Sequence, residues 1–318
     1  MSTSLRVAVQ MDPIETINID GDSTFALMLE AQARGHKLWH YHVRDLALRG
    51  GRVTAWARPI TLRREYGNHY SFGAEEELDL GRDADVVLMR QDPPFDMAYI
   101  TATHFLDKVH PTTLVVNNPT EVRNAPEKVF VLDFAQFMPP TLVTRSLDEV
   151  REFHKTHGEI VVKPLHGNAG SAVMHIAKDG KNLAAITELF GQVWREPFMA
   201  QAFIRAVESG DKRIVLIDGE VAGAINRIPG AGEIRSNLAA GGRAEATELT
   251  LGEREICAAI GPELKKRGLL FVGIDVIGGK WLTEINVTSP TGIVAIDAFN
   301  GTDTPALIWD TIEAKIAK

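Results

Sequence analysis

Asp275, Glu284 and Asn286 are oxygen-bearing side chains spaced so that one hard cation could sit among them. They lie in Phe271-Val-Gly-Ile-Asp-Val-Ile-Gly-Gly-Lys-Trp-Leu-Thr-Glu-Ile-Asn286. Two apolar runs flank Gly278-Gly279 there, which reads as a hairpin closed by a two-residue primed turn. That register sets Asp275 opposite Leu282 and Glu284 opposite Gly273. Side chains alternate along a strand, so Asp275, Glu284 and Asn286 share one face. Val272, Ile274, Val276, Ile285 and Val287 share the other, as a core face. Asp275 and Glu284 become diagonal neighbours roughly 7–8 Å apart, room for Mg²⁺ or Mn²⁺ between carboxylates. A plain solvated polar face is the competing reading.

Upstream residues could supply an anion for such a cation to bridge. Lys128 falls in the first turn of a helix expected over 127–135, where it opposes the helix dipole. It either faces an anion or snorkels at the surface. Pro164-Leu-His-Gly-Asn-Ala-Gly170 connects strands expected at 159–163 and 173–177. Its small residues let backbone amides approach a phosphate, or it is a plain hairpin connection. No Gly-Lys-Ser/Thr follows, so it is not a Walker loop. Residues 227–243 are glycine-rich and carry Arg227, Arg235 and Arg243, which suits a lid over phosphate or carboxylate groups, or a disordered segment.

The elements that must hold these groups begin with alternating strands and helices. Strands are expected at 5–10, 37–43, 85–89 and 114–117. Helices are expected from Ser23 as cap to Gly35 as stop, and at 98–109. This alternation implies an open, largely parallel sheet with its ligand crevice at the carboxyl ends of the strands, where Asp12, Arg90 and Asp92 stand. Pro119, Pro126 and Pro139-Pro140 mark a junction. A helix at 146–158, a strand at 197–204 and a hairpin of 212–217 with 221–226 around Asp218-Gly219 follow. The expected units are 1–124, an N-terminal substrate-binding α/β domain; 125–204, a central lid; and 205–318, a C-terminal domain carrying the metal hairpin.

Separated lysines, a small-residue loop, an arginine-bearing segment and an acidic hairpin are what a nucleoside triphosphate site needs without a P-loop. At these residues the sequence resembles the ATP-grasp superfamily, specifically the bacterial glutathione synthetase family, over nearly the whole chain. The resemblance is carried by Met11-Asp12-Pro13, Leu88-Met-Arg-Gln-Asp-Pro-Pro-Phe-Asp96, Glu127-Lys128 and Val162-Lys-Pro-Leu165. It continues in Gly210-Asp-Lys-Arg213, Asn237-Leu-Ala-Ala-Gly-Gly242, Phe271–Gly278 and Leu282–Thr291.

The resemblance implies an α/β ATP-grasp fold behind an N-terminal, mostly parallel sheet. It implies that Lys128 and Lys163 contact the phosphates of ATP, with Gly167, Asn168 and Gly170 over them. Gln201, Ala202, Phe203 and Ile204 would line the adenine, Leu282 would pack beneath it, and Asp211 would hold the ribose. Asp275, Glu284 and Asn286 would coordinate Mg²⁺ or Mn²⁺. Arg213, Arg227, Arg235 and Gly241 would serve the transfer, and Asp12, Arg90, Asp92, Asn237, Ser289 and Thr291 would shape the peptide pocket. The implied reaction joins γ-glutamylcysteine to glycine through an acyl phosphate, by positioning and charge neutralisation rather than a side-chain nucleophile. A homotetramer or dimer in the cytoplasm is implied as well.

Departures fall in the loop, where His166 replaces the family's usual acid and Ala169 a usual glycine. Alanine resists positive φ, so the loop should fold differently over phosphate. Ala202 replaces a frequently polar hinge residue, a change of little weight if backbone makes that contact.

Composition narrows the classes further. At 318 residues the chain exceeds one ordinary core. The net charge of −8 argues against non-specific nucleic-acid binding. No apolar run is long enough to cross a bilayer, and the start lacks a secretory apolar region. Cys257 is the single cysteine, so no internal disulfide forms, and its surroundings read as a small buried hydrophobe. His40 and His42 would share a strand face, but no further zinc ligand at suitable spacing accompanies them. The scattered tryptophans read as core rather than a platform for bases. The alternatives are a related ATP-grasp carboxylate–amine ligase with another substrate, or a catalytically silent nucleotide-binding protein. Thr288–Thr291 and Arg90–Asp96 favour glutathione synthesis, and the intact Asp275, Glu284 and Asn286 argue against silence.

Overall fold

The computed structural model describes residues 4–167, 170–230, 232–233, 235–238 and 241–317. Three sheets organise it. In the first, Lys37–Tyr41, Arg6–Gln10, Val86–Met89 and Leu114–Val116 run parallel in that order, as the alternating pattern requires. Sequence reading missed an antiparallel extension. Arg52–Leu62 pairs with Lys37–Tyr41 and itself carries Leu46–Arg49, Tyr70–Phe72 and Glu76–Asp79. Those strands are short and largely polar, and Pro59 interrupts the long one, so no clean alternation announces them.

The helix Ser23–Ala33 covers this sheet with Phe25, Leu27, Met28 and Ala31. Its cap is Asp22, whose carboxylate accepts from Phe25 N at 2.6 Å, rather than Ser23, which is buried in the first turn. The C-terminal helix Thr304–Ile316 returns onto it, and the buried Trp309 donates its indole N–H to Leu27 O at 2.8 Å.

The second sheet, ordered Met174–Ile176, Ile160–Pro164, Phe198–Ala202 and Thr141–Thr144, is antiparallel throughout. With the helices Leu147–His157 and Leu183–Val193 it encloses a core of its own around Val150, Ile160, Val162, Phe190 and Phe198. The third sheet runs Arg243–Ala246, Glu220–Ile228, Asp211–Ile217, Phe271–Ile277 and Trp281–Asn286, again antiparallel. Its core is continuous with that of the first sheet, joining Ile214, Ile274 and Ile285 to Val87, Met89 and Leu106.

Buried Asn117 fastens those two sheets together. Its amide nitrogen donates to Phe271 O and Val287 O, both at 2.7 Å, and its oxygen accepts from Phe271 N at 2.8 Å. The strand that begins at Phe271 is thereby fixed at its root. None of the described helices is long and apolar enough to cross a membrane.

Candidate active site

The hairpin departs from its expected register in a way that keeps its chemistry. Ile277 pairs with Trp281, so the connection is Gly278-Gly279-Lys280, three residues rather than two. Positive φ of 60° and 70° at the two glycines gives the primed turn, closed by Lys280 N to Ile277 O. A bulge at Thr283 then adds a second residue, leaving Asp275 directly opposite Glu284 and Gly273 opposite Asn286. Two extra residues preserve parity, so the three oxygen ligands still share a face. Leu282, however, lies opposite Val276, fully buried in the core. The expected adenine floor is therefore misplaced. Ile277, on Asp275's own face, and the bulged Thr283 line the cleft instead.

Asp275, 3% exposed, is the electrostatic centre. Arg213 Nε and Nη2 donate to its two oxygens at 2.6 and 3.0 Å, and Arg227 Nη2 lies 3.0 Å from Oδ1. Burial alone would raise its pKa, but the two guanidiniums outweigh it and hold the carboxyl well below the usual carboxylate range. Arg227 also donates to Asp211 at 2.6 Å. Asp211 itself is pushed upward, by burial first. Asn286 Nδ2 reaches Asp275 Oδ2 at 3.3 Å.

Glu284 faces two buried lysines, Lys128 at 3.3 Å and Lys163 at 3.7 Å. Lys128 also pairs with Glu127 and donates to Gly167 O at 2.7 Å. Burial lowers the pKa of Lys163. For Lys128 that same penalty is overcome by Glu284 and Glu127, which raise it. Burial and the nearby Glu284 push Glu127 up to about 7. Lys128 thus faces carboxylates, not solvent, and its helix is one α-turn, Glu127–Phe130, running into the 3₁₀ segment Val131–Phe137.

Two open clefts meet here. One, of about 750 Å³ between the second and third sheets, is lined by Lys163, Gln201, Ala202, Phe203, Ile204 and Asp211, with Gly170 and Arg235 at one side. Val161, Val173, Val207 and Ile277 supply apolar walls that sequence reading did not single out. Period-two alternation from Asp275 could have found Ile277. Gln201 is oriented by donating to Thr141 Oγ1 at 2.9 Å. The other cleft, about 850 Å³, is lined by Asp92, Arg213, Arg227, Asn286, Ser289 and Thr291. Asn237 and Glu284 border both. Buried lysines and arginines therefore converge on a shared edge, the arrangement that a transfer between two bound molecules requires.

Several expected residues stand elsewhere. Arg227 is not on the glycine-rich connection; it lies inside the strand Glu220–Ile228, and Arg243 opens the strand paired with it. Arg235 does lie on the connection, where a Cβ on Gly170 (φ 72°) would meet its side chain at 3.1 Å. Arg90 lines neither cleft. Its guanidinium is a buried strut, donating to Thr24 Oγ1 at 3.0 Å and Pro290 O at 2.9 Å and lying over the Phe271 ring. Asp12 lines a neighbouring cavity and accepts from Asp92 N at 2.7 Å. Gly241 also lines neither cleft, its N–H turned to Leu238 O. Gly167 borders a small pocket beside Glu127. Asn168 and Ala169 lie outside the described residues.

Two carboxylates and an amide converging on one face form a hard-oxygen donor set, the kind that suits Mg²⁺ or Mn²⁺. Buried lysines, an apolar cleft and this donor set, shared between two antiparallel sheets, accord with an ATP-grasp enzyme, an ATP-dependent ligase. The fold is similar to that of D-cycloserine synthetase DcsG, with a TM-score of 0.70 at 16% identity over 98% of this chain and 99% of that one. Residues 5–123 match the model of the prokaryotic glutathione synthetase N-terminal domain, and residues 127–301 that of the prokaryotic glutathione synthetase ATP-grasp domain. The glutathione synthetases of Rhodopseudomonas palustris and Bradyrhizobium diazoefficiens are each 56% identical to it over 314 residues. Those alignments span 99% of this chain and 100% and 99% of theirs. The chain belongs to the prokaryotic glutathione synthetase family.

Proposed function

We propose that this chain joins γ-glutamylcysteine to glycine, forming glutathione, ADP and phosphate. The observation that carries the reading is the shared edge at Glu284 and Asn237, where a phosphate-holding cleft opens onto an arginine-lined one. ATP lies with its base among Ile277, Val161 and the 201–204 backbone, its ribose at Asp211 and its phosphates at Lys128 and Lys163. The dipeptide lies in the second cleft, its cysteinyl carboxylate toward Arg213 and Arg227. A carboxylate oxygen takes the terminal phosphoryl group. The glycine amine then attacks the acyl carbon, the C–N bond forms, the C–O bond to phosphate breaks, and the amine proton leaves.

Lysines and arginines stabilise charge spread over the phosphoryl and acyl oxygens, and being fixed beforehand they need no reorganisation. Asp275, Glu284 and Asn286 would hold Mg²⁺ or Mn²⁺, which supplies further neutralisation of phosphate charge. The strongly acidic Asp275 stays an ionised donor throughout the physiological range. Cys257 takes no part, since burial pushes its thiol up to about 12. Residues 1–124, 125–204 and 205–318 act as the substrate, lid and catalytic units, and a cytoplasmic homotetramer or dimer is the assembly the family resemblance supports.

The test is phosphate release from ATP with Mg²⁺, offering γ-glutamylcysteine and glycine separately and together. Turnover with both and with neither alone is expected. Vigorous turnover with a different amine and none with glycine overturns the reading.

A further inference from the structure

The first sheet ends on the strand Leu46–Arg49, whose inner edge pairs with Arg52–Leu62 and whose outer edge no described strand covers. Arg49 lies opposite Arg52 across Gly50-Gly51, both glycines at positive φ (58° and 83°), so the connection is a two-residue primed turn. Residues flanking such a turn exchange both ladder bonds, and the pattern alternates from there. Ala47 and Arg49 therefore spend their backbone groups inward, while Leu46 and Leu48 turn theirs outward. The Leu46 N–H is taken by Val43 O, which leaves the Leu48 N–H and two carbonyls on the open edge. Such a row is a template for another strand unless charge, proline or a covering element blunts it, and here the outward residues are leucines.

On the face that Leu46 and Leu48 share, an apolar groove of about 690 Å³ lies between the strand and the helix Met97–Leu106. Val43, Leu46, Met97, Thr101 and Phe105 line it, the last three spaced one helical turn apart. Leu48 is 42% and Met97 71% exposed. The edge is also self-complementary. Turned about a two-fold axis through Ala47, an antiparallel mate sets Leu48 opposite Leu46 and Arg49 opposite Asp45, each pair twice. The first pair is of the bonded kind, so the Leu48 N–H meets Leu46 O. The second brings an exposed guanidinium, with no partner among the described residues, to a carboxylate. That carboxylate has Oδ2 bound at His42 but Oδ1 only near Arg44, at 3.8 Å. Centring on Leu48 instead leaves Arg49 opposite alanine, and a half-step sets outward groups against inward ones.

We propose that a second copy of this chain covers this edge, its strand Leu46–Arg49 pairing antiparallel across an axis at Ala47 and its helix Met97–Leu106 packing over the groove. The contact is isologous, so one patch supplies both halves. None of these residues borders either reaction cleft, so the contact and the ligation can fail independently.

Cysteine crosslinking reads the register, because Cys257 is buried and the chain has no other thiol. Across the axis the two Ala47 Cα atoms stand about 4.5 Å apart, within disulfide reach, whereas the two Arg49 Cα atoms stand roughly 13 Å apart. Ala47→Cys should give a covalent dimer on diamide oxidation at micromolar protein, and the more exposed Arg49→Cys should not. Sedimentation reads the energetics. Leu48→Lys places an ammonium in the contact twice and should weaken dimer formation about 100-fold. Arg49→Glu sets like charges opposite each other twice and should weaken it about tenfold. Both side chains are exposed in the single chain, so both variants should keep the wild-type far-ultraviolet spectrum. Wild-type protein that stays monomeric, no crosslink at Ala47→Cys or an equal one at Arg49→Cys, or association unmoved by Leu48→Lys overturns the contact.

Discussion

On one side of the cleft between the second and third sheets, residues 141–202 fold around their own core of Val150, Ile160, Phe190 and Phe198, and the polar groups they turn to the cleft are few. On the other side, the third sheet shares its core with the first and carries a closed charge lattice in which Asp275 serves Arg213 and Arg227 while Arg227 also serves Asp211. Glu284 reaches across that divide to Lys163. The contrast assigns different tasks to the two walls. One is built largely around its own core, with Leu165 and Met199 reaching into the shared one. The other is locked by ion pairs and by Asn117, and it keeps Asp275, Glu284 and Asn286 in register.

The lattice breaks most severely at Asp275. Asp275→Asn leaves buried Arg213 without a carboxylate partner and Arg227 with Asp211 alone, which should destabilise the protein by about 3–5 kcal/mol and abolish turnover. Thermal melting and phosphate release measure the two losses. The same residue predicts an acid response. Its folded-state pKa is depressed, so its stabilisation is fully present above the unfolded value of about 4 and is lost as pH falls toward the folded value, at up to about 1.4 kcal/mol per pH unit. Melting curves of Asp275→Asn should lack that slope. If the variant keeps it, the lattice is not what fixes this wall.

Across the divide, Glu284→Gln keeps the shape and removes the charge that Lys128 and Lys163 share. Turnover should fall by about 10²–10³-fold, the loss typical of one preorganised electrostatic group, while the far-ultraviolet spectrum is retained. Because Glu284 borders both clefts, kcat should fall more than KM for either substrate rises. A pure KM effect would place the residue in binding alone.

How much of this was legible follows from parity and from distance. The shared face of Asp275, Glu284 and Asn286 could be read because alternation survives any even shift of register. The shift itself could not, since the Thr283 bulge leaves no local mark in an unbroken strand sequence. Arg-Ile-Pro-Gly looks continuous with the glycine-rich segment, so the sequence alone places Arg227 on a lid. Pairing of the strand ending at Ile228 with Arg243–Ala246 is a tertiary fact. Arg90, at a strand end, fits a ligand contact and a strut equally well in sequence. The carbonyl of Pro290, two hundred residues on, decides for the strut. The alternating first sheet was readable from periodicity, whereas its short antiparallel edge was not.

The register correction gives the mildest and sharpest test. If Leu282 were the adenine floor, as a two-residue turn requires, trimming it would weaken ATP binding and leave the core largely intact. In the observed register the effects separate. Leu282→Ala should cost about 2–5 kcal/mol of stability by opening a core cavity opposite Val276. Ile277→Ala, at the cleft wall, should cost little stability and raise KM for ATP by about three- to tenfold, the worth of roughly one side chain's apolar contact with the base. Melting temperatures and ATP titrations on the pair are sufficient. Should the effects exchange, with Leu282→Ala sparing the fold and losing ATP, the bulge at Thr283 is absent in solution and Asp275, Glu284 and Asn286 must be re-registered with it.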